Sequence, residues 1–347
     1  MAMDPRRDGG RRGQGRGRRH EGARGARPAA PQKPQELDGE LGLPAHLVAS
    51  VRATYGEEGL ARVAEGWSAT RAVTLRANAL RATREEIAVA LDDAHIAWDG
   101  VPWYADAFVL ADGVRERSVW NLDAYEQGKL YLQSLSSMLP PLVLAPRPGA
   151  DVLDMCAAPG GKTSEMCALA PGGACGRAAR VTACELSHPR AERLEHNLAK
   201  LGATNVQVMR TDARRLDEWF SFDQVLLDAP CTGSGTVHAH DEHAARTLTP
   251  ELAARVERSQ AALLEKGLQV LKPGGELVYS TCSILPRENE DIVEGALARH
   301  PECELVPVGL AGIERVPTLP CRLDGALTVC PSRLYEGFFV AKLRKVG

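Results

Sequence analysis

The chain has no run of about 18 apolar residues, so no membrane-spanning helix is expected. Its first residues lack the apolar centre of a secretory signal. No two of its nine cysteines form a C-x-x-C pair, which excludes a zinc ribbon and leaves no basis for a disulfide framework. A reducing cytoplasm fits that usage. Aromatic residues are scarce at 5%, but hydrophobic residues reach 44% and charged residues 25% of the 347, ordinary proportions for a globular chain. A wholly disordered or collagen-like protein is thereby excluded, and the length corresponds to about two domains. No internal repeat is visible.

The formal net charge of −3 conceals an asymmetry. Residues 1–33 carry nine Arg and one Lys against Asp4, Asp8 and Glu21, a net +7, and the remainder carries −10. An Arg/Gly/Pro-rich arm over 1–35 has too few apolar residues to bury a core and is expected to be disordered. Two readings of it stand: a non-specific arm for nucleic-acid phosphates, or a solvated tail. Globular patterning begins at Leu43, where Leu43, Leu47, Val51, Leu60 and Val63 predict helices around 44–65. Residues 72–77 alternate like a strand, and Thr83 followed by Glu86 is a capping box that opens a helix of about ten residues. Short apolar pieces occur at 96–98 and 108–110. These pieces predict a small α+β domain over 40–118, either a substrate-recognition module or a structural cap on the neighbouring domain.

From residue 150 strands and helices alternate. Strands are expected at 152–155, 180–184, 206–209, 224–227, 276–281 and 338–343. Helices are expected from Thr163, over 188–201, from Pro250 to the Pro273-Gly274-Gly275 stop, and over 288–300. This order argues for an α/β fold with a doubly wound, mainly parallel sheet.

The turn after the first of these strands runs Asp154-Met155-Cys156-Ala157-Ala158-Pro159-Gly160-Gly161-Lys162-Thr163. Small residues there admit a ligand to the backbone, and the following helix presents free N–H groups. Glu185 ends the second strand, where an acid can hold two ribose hydroxyls, and Asp212 follows the third, where a carboxylate can accept from an adenine amine. The turn matches neither G-x-G-x-x-G nor the P-loop spacing, so with no phosphate cradle S-adenosylmethionine is favoured over NAD or a nucleoside triphosphate.

Asp228-Ala229-Pro230-Cys231 follows the fourth strand and Ser280-Thr281-Cys282-Ser283 the fifth. In a doubly wound sheet the first, fourth and fifth strands are neighbours, so Cys231, Cys282 and Asp228 should converge beside the cofactor. One chemistry needs that set. Cytosine C5 is a poor nucleophile until a thiolate adds to C6; an acid is then needed near N3, and a further group must assist elimination. Either cysteine could be the nucleophile on these grounds. The other cysteines (156, 167, 175, 184, 303, 321 and 330) read as small apolar or inert residues, apart from Cys156 within the turn.

DMCAAPGGKT, DAPCTGSG and YSTCS together resemble the RNA 5-methylcytosine methyltransferase family, which includes bacterial 16S rRNA enzymes and archaeal and eukaryotic tRNA enzymes. The likeness extends through Tyr131-Leu132-Gln133-Ser134-Leu135-Ser136-Ser137-Met138-Leu139-Pro140 to Gly337–Leu343, about residues 120–345. It implies a Rossmann-like catalytic domain over 119–347, with a seven-stranded sheet, behind an RNA-recognition domain. It implies RNA as the partner and Cys282 as the nucleophile on C6, with Cys231 assisting product release and Asp228 contacting the base. It implies that Cys156, Ala157, Ala158, Pro159, Gly160, Gly161, Lys162, Glu185, Asp212 and Asp228 bind S-adenosylmethionine. Lys162 is implied to help orient the base, and Arg190 to approach the cofactor carboxylate.

One departure stands out: where the family carries a basic residue after Gly235, this chain reads Thr236-Val237-His238-Ala239-His240-Asp241-Glu242-His243. The histidines lack metal-ligand spacing, no metal is expected, and the stretch reads as a solvated loop on the substrate side. No appended C-terminal RNA-binding module is expected, and a monomer is. Two rival readings keep part of the pattern. A DNA cytosine-C5 methyltransferase shares the chemistry but uses the Pro-Cys thiol, and a non-catalytic RNA-binding or ribosome-assembly factor needs neither cysteine.

Overall fold

The computed structural model describes residues 35–172 and 177–346. The arm over 1–35, except Gln35, and Cys175 lie outside these residues.

The N-terminal part opens on a helix over Ala45–Ser68 that kinks at Gly56, where φ is +71°. A small antiparallel sheet comes next: β1 (Thr74–Ala77), β2 (Trp98–Val101), β3 (Tyr104–Leu110) and β4 (Leu130–Leu132), in the order β2-β3-β1-β4. Its fourth strand thus comes from beyond residue 118. The Arg84–Asp93 helix starts at the expected capping box, with the Thr83 hydroxyl accepting from the Glu86 N–H and the Glu86 carboxylate accepting from the Thr83 N–H. Ile87 and Leu91 of this helix pack on Leu75, Phe108 and Leu130, which gives the small sheet its own core.

The large sheet contains β5 (Asp151–Asp154), β6 (Arg180–Cys184), β7 (Val206–Met209), β8 (Phe222–Asp228), β9 (Leu271–Thr281), β10 (Cys303–Val306), β11 (Thr318–Leu319), β12 (Leu327–Val329) and β13 (Phe338–Lys345). Its order is β11-β12-β13-β9-β8-β5-β6-β7, with β10 also paired to β13. The run from β9 to β7 is parallel and β13 returns antiparallel to β9. The doubly wound sheet is present, and β5, β8 and β9 are neighbours as expected. The strand count is a correction: nine strands among the described residues, not seven. β10, β11 and β12 are two to four residues long, too short for an alternation of period two to show in the sequence.

Side-chain alternation divides this sheet between two cores. Val152, Leu226, Val278, Phe338 and Val340 face one, and Leu153, Val225, Leu227, Leu277, Tyr279 and Phe339 face the other. A second correction concerns Pro273-Gly274-Gly275. The preceding helix ends at Gln269, and the three residues lie inside β9, beside a register shift against β8. The first helix does not stop at the small sheet. Its Leu47, Val51, Val63 and Trp67 bury against Val237, Ile284, Leu319 and Cys330, so it backs the loops at the ends of β8 and β9.

Candidate active site

β5 delivers a buried carboxylate, Asp154, to the carboxyl edge of the sheet. Its Oδ2 accepts from the Thr163 hydroxyl at 2.7 Å and its Oδ1 from the Cys156 N–H at 3.3 Å. Burial raises its pKa to about 6, with the Thr163 hydrogen bond opposing the rise and Asp228's charge adding to it. The chain then crosses a cis Ala158–Pro159 bond and turns into the Gly161–Leu169 helix at Gly160, whose φ is +107°. That left-handed conformation is why glycine stands there. Gly161 is required by crowding: a Cβ would sit 2.9 Å from the Tyr131 ring.

Glu185 directly follows β6 and is almost fully buried. Its Oε1 accepts from the Ser187 N–H at 2.8 Å and its Oε2 stands 3.4 Å from the Arg190 guanidinium. Arg190 also donates to the Ala158 carbonyl at 3.0 Å, so it ties the second strand's acid to the turn. Asp212 is held by Arg214 through a forked pair of contacts at 2.7 and 2.9 Å, and that hydrogen bonding holds its carboxyl below the ordinary aspartate value.

Parallel pairing sets Asp228 beside Ser280, so the chains leaving β8 and β9 emerge side by side. The Asp228 carboxylate accepts from the Ser280 hydroxyl at 2.8 Å and pairs with Lys162 Nζ at 2.8 Å. Lys162 also donates to the Ser137 hydroxyl at 2.8 Å and lies over the Phe338 ring. Burial works against its charge, but Asp228 outweighs that and holds the ammonium above the ordinary lysine value. The sulfurs of Cys231 and Cys282 stand 3.1 Å apart with no disulfide. Hydrogen bonding to Cys282, followed by burial, pushes the Cys231 thiol well up. Elsewhere burial raises Cys167 and Cys184 to about 12, which suits the inert role expected of them.

A cavity of about 520 Å³ lies against this edge. Of the residues singled out from the sequence, it gathers Cys156, Ala157, Ala158, Pro159, Gly161, Lys162, Asp228 and Cys282. Gly160, Glu185, Arg190, Asp212 and Cys231 do not line it. Residues that sequence reasoning missed also face it: Asp154, Tyr131, Ser137, Arg71, Glu336 and Phe338. Asp154 had a signal, since it is the last residue of the strand before the turn. Arg71 had none. It sits on a connector, donates to the Gly235 and Thr236 carbonyls at 3.3 Å and stands 3.9 Å from Glu336. The histidine stretch is solvated, as expected, but it is also anchored. His238 and His240 are exposed, but Val237 is buried, Ala239 N–H donates to the Trp67 carbonyl at 2.8 Å and His240 N–H to the Leu41 carbonyl at 2.7 Å.

Residues 141–344 match the family described as 16S rRNA methyltransferase RsmB/F, and residues 43–115 match the ferredoxin-like domain of RsmF/B-like methyltransferases. A Shewanella denitrificans protein named ribosomal RNA small subunit methyltransferase F is 36% identical over 284 residues, 79% of this chain and 54% of that protein. Its namesake from Aeromonas salmonicida is 34% identical over 280 residues, 78% of this chain and 57% of that protein. The chain therefore spans little more than half the length of these curated relatives. A solved methyltransferase homolog from Pyrococcus horikoshii overlays with a TM-score of 0.73 at 33% identity, covering 87% of this chain and 94% of that one. NSun6 from Pyrococcus horikoshii, solved with SFG, overlays at 0.76 with 22% identity over 88% of this chain and 98% of its own, which shows a shared fold.

Proposed function

Since the chain belongs to the 16S rRNA methyltransferase RsmB/F family, a family of S-adenosylmethionine-dependent methyltransferases, we propose that it methylates C5 of a cytosine in ribosomal RNA through a transient bond from Cys282 to C6. The observation that carries this reading is the pair of free thiols 3.1 Å apart, one on the connector after β8 and one directly after β9, with Cys282 on the cavity that the Lys162–Asp228 pair also faces.

Asp154, the 156–161 turn, Glu185 and Asp228 are the residues that would hold S-adenosylmethionine. The fit rests on the close approach allowed at Gly160 and Gly161 and on buried acids at the ends of β5 and β6. Asp212 is already occupied by Arg214, so an adenine amine there would have to share its oxygens. The cofactor supplies an electrophilic methyl group. The chain's own part is the activation of C5. The Cys282 thiolate adds to C6, and the displaced π pair makes C5 nucleophilic. Asp228, held by Lys162 and Ser280, accepts from the exocyclic amine of the base, and the Lys162 ammonium beside it offsets the negative charge that builds up at N3. After transfer the C5 proton leaves to water, the C5=C6 bond re-forms, and the C–S electron pair returns to Cys282. Cys231 assists that release, since a hydrogen bond from its thiol stabilises the departing thiolate. The 43–115 part and the 1–35 arm are assigned to RNA docking.

The test is direct. The full chain, S-adenosylmethionine and unmodified bacterial 16S rRNA are incubated, and the RNA is digested for nucleoside analysis. 5-Methylcytidine is expected; its absence, or methylation of another atom, contradicts the proposal.

A further inference from the structure

The sulfurs that meet at the site belong to positions 51 residues apart, and only one is on a strand end. Cys282 follows β9 directly. Cys231 sits on a connector that leaves the sheet after Ala229, whose N–H donates to the Ser280 carbonyl at 2.8 Å. Something else must fix that connector to better than an ångström if its thiol is to stay against Cys282.

That anchor is Glu288, on a 3₁₀ turn over Pro286–Glu288 and fully buried. One carboxylate oxygen accepts from the Thr232 N–H at 2.7 Å and from Gln260 Nε2 at 3.2 Å. The other accepts from the Thr232 hydroxyl at 2.5 Å and the Ser283 hydroxyl at 2.8 Å. Thr232 follows Cys231 and Ser283 follows Cys282, so one carboxylate grips the neighbour of each thiol. All four partners donate to the carboxylate, so an amide in its place would keep an acceptor for only one pair of them and would force the Thr232 and Ser283 hydroxyls to turn round and accept. The preceding residue, Arg287, pairs with Glu257. The turn itself is pinned: the Tyr279 hydroxyl donates to the Glu288 carbonyl at 2.6 Å, the Thr281 hydroxyl donates to Asn289 Oδ1 at 2.5 Å, and Asn289 Nδ2 donates to the Ser283 carbonyl at 2.9 Å.

A buried carboxylate is a costly way to hold a loop, and hydrogen bonds from four donors are what make it tolerable. We propose that Glu288 is a positioning residue for product release, holding the Cys231 connector in register with Cys282 through Thr232 and Ser283. The charge has a second use. It is one of the groups that disfavour a thiolate at Cys231, after the Cys282 hydrogen bond, burial and the Cys282 charge, and so it helps keep that residue a donor. The inference rests on the release role proposed above for Cys231.

The experiment compares wild type, Cys231→Ser, Glu288→Gln and Thr232→Val, each as the full chain with S-adenosylmethionine and 16S rRNA. Turnover to 5-methylcytidine, KM for RNA and denaturant-stable RNA–protein adduct are read. Glu288→Gln is expected to lose about tenfold to a hundredfold in kcat with KM changed less than about twofold, and to accumulate adduct as Cys231→Ser does. Thr232→Val, which keeps the carboxylate and loses one donor, moves the same way by less. Normal turnover in Glu288→Gln, or lost turnover without adduct while Cys231→Ser traps it, overturns the inference and leaves the methyltransferase reading intact. If Glu288→Gln does not fold, Thr232→Val decides, and turnover without adduct overturns the proposal. If wild type itself makes no 5-methylcytidine, the broader reading fails, and thiol chemistry decides on Glu288 alone. In Cys282→Ala, alkylation of Cys231 by iodoacetamide is expected to quicken at least about fivefold when Glu288→Gln or Thr232→Val is added. An unchanged rate overturns the positioning role.

Discussion

The two halves of the sheet edge are built on different principles. On the β5–β6–β7 side, charge and backbone shape do the holding: Glu185 beside Arg190, Asp212 beside Arg214, and a turn whose path depends on Gly160 and Gly161. On the β8–β9 side, hydroxyls, amides and one buried carboxylate hold two loops, and the ion pair of Lys162 with Asp228 sits at the border. A charged rim suits a cofactor that comes and goes. A buried hydrogen-bond network suits two sulfurs whose separation must not drift.

Substitutions that hit one side and spare the other sharpen this contrast. Cys282→Ala has the largest expected effect, a fall in methylation of roughly a thousandfold or more with cofactor binding retained, measured by nucleoside analysis and by calorimetry with S-adenosylhomocysteine. Retained methylation would remove Cys282 from the mechanism. Lys162→Met strikes the border. It leaves Asp228 without its cation, and a loss of about a hundredfold in kcat is expected, with little change in RNA affinity by filter binding. Should RNA affinity fall instead while kcat holds, Lys162 belongs to docking.

Gly235→Ala tests the packing of the thiol side. An added Cβ would overlap the Gly337 carbonyl, and the Gly337 N–H donates to the Gly235 carbonyl at 2.8 Å. Destabilisation of about 1–3 kcal/mol is expected in urea unfolding, and an unaltered midpoint would mean that this loop is not braced as described. The smallest effect concerns the cofactor side. Asp154 rises from 3.8 in the unfolded chain to about 6 in the folded one, so the folded state holds the proton longer. Its contribution to stability is therefore complete below about pH 4 and is lost as pH climbs through 6. Asp154→Asn should flatten that fall by on the order of 1 kcal/mol, as read by unfolding between pH 4 and 7. An identical slope in both proteins would contradict the assignment.

The same division decides what could be read in advance. The cofactor side is local: strand, glycine turn and helix lie within about twenty residues, so the path of the 156–162 turn and the place of Glu185 just after β6 were legible, while their cofactor role stays a proposal. So were the convergence of Cys231 with Cys282 and the neighbouring of β5, β8 and β9, because parallel strand order follows from the alternation of elements. Glu288 was not, because its partners Thr232 and Gln260 are 56 and 28 residues away and an isolated glutamate near a helix start reads as a surface charge. Arg71 was hidden for the same reason, on a connector with no periodicity. The Leu135–Leu144 helix was missed because it contains Pro140 and Pro141, which argue locally against a helix, although its buried face packs it in place. Pro273-Gly274-Gly275 misled in the opposite sense, marking a register shift in a strand rather than a helix stop.

The decisive measurement uses RNA that carries 5-fluorocytidine, whose C5 fluorine blocks the elimination that frees the enzyme. Incubated with S-adenosylmethionine and the wild-type chain, then digested and analysed by mass spectrometry, it should leave the modified nucleotide on the peptide that contains Cys282. Attachment to Cys231, or no attachment while unmodified RNA is still methylated, would contradict the account.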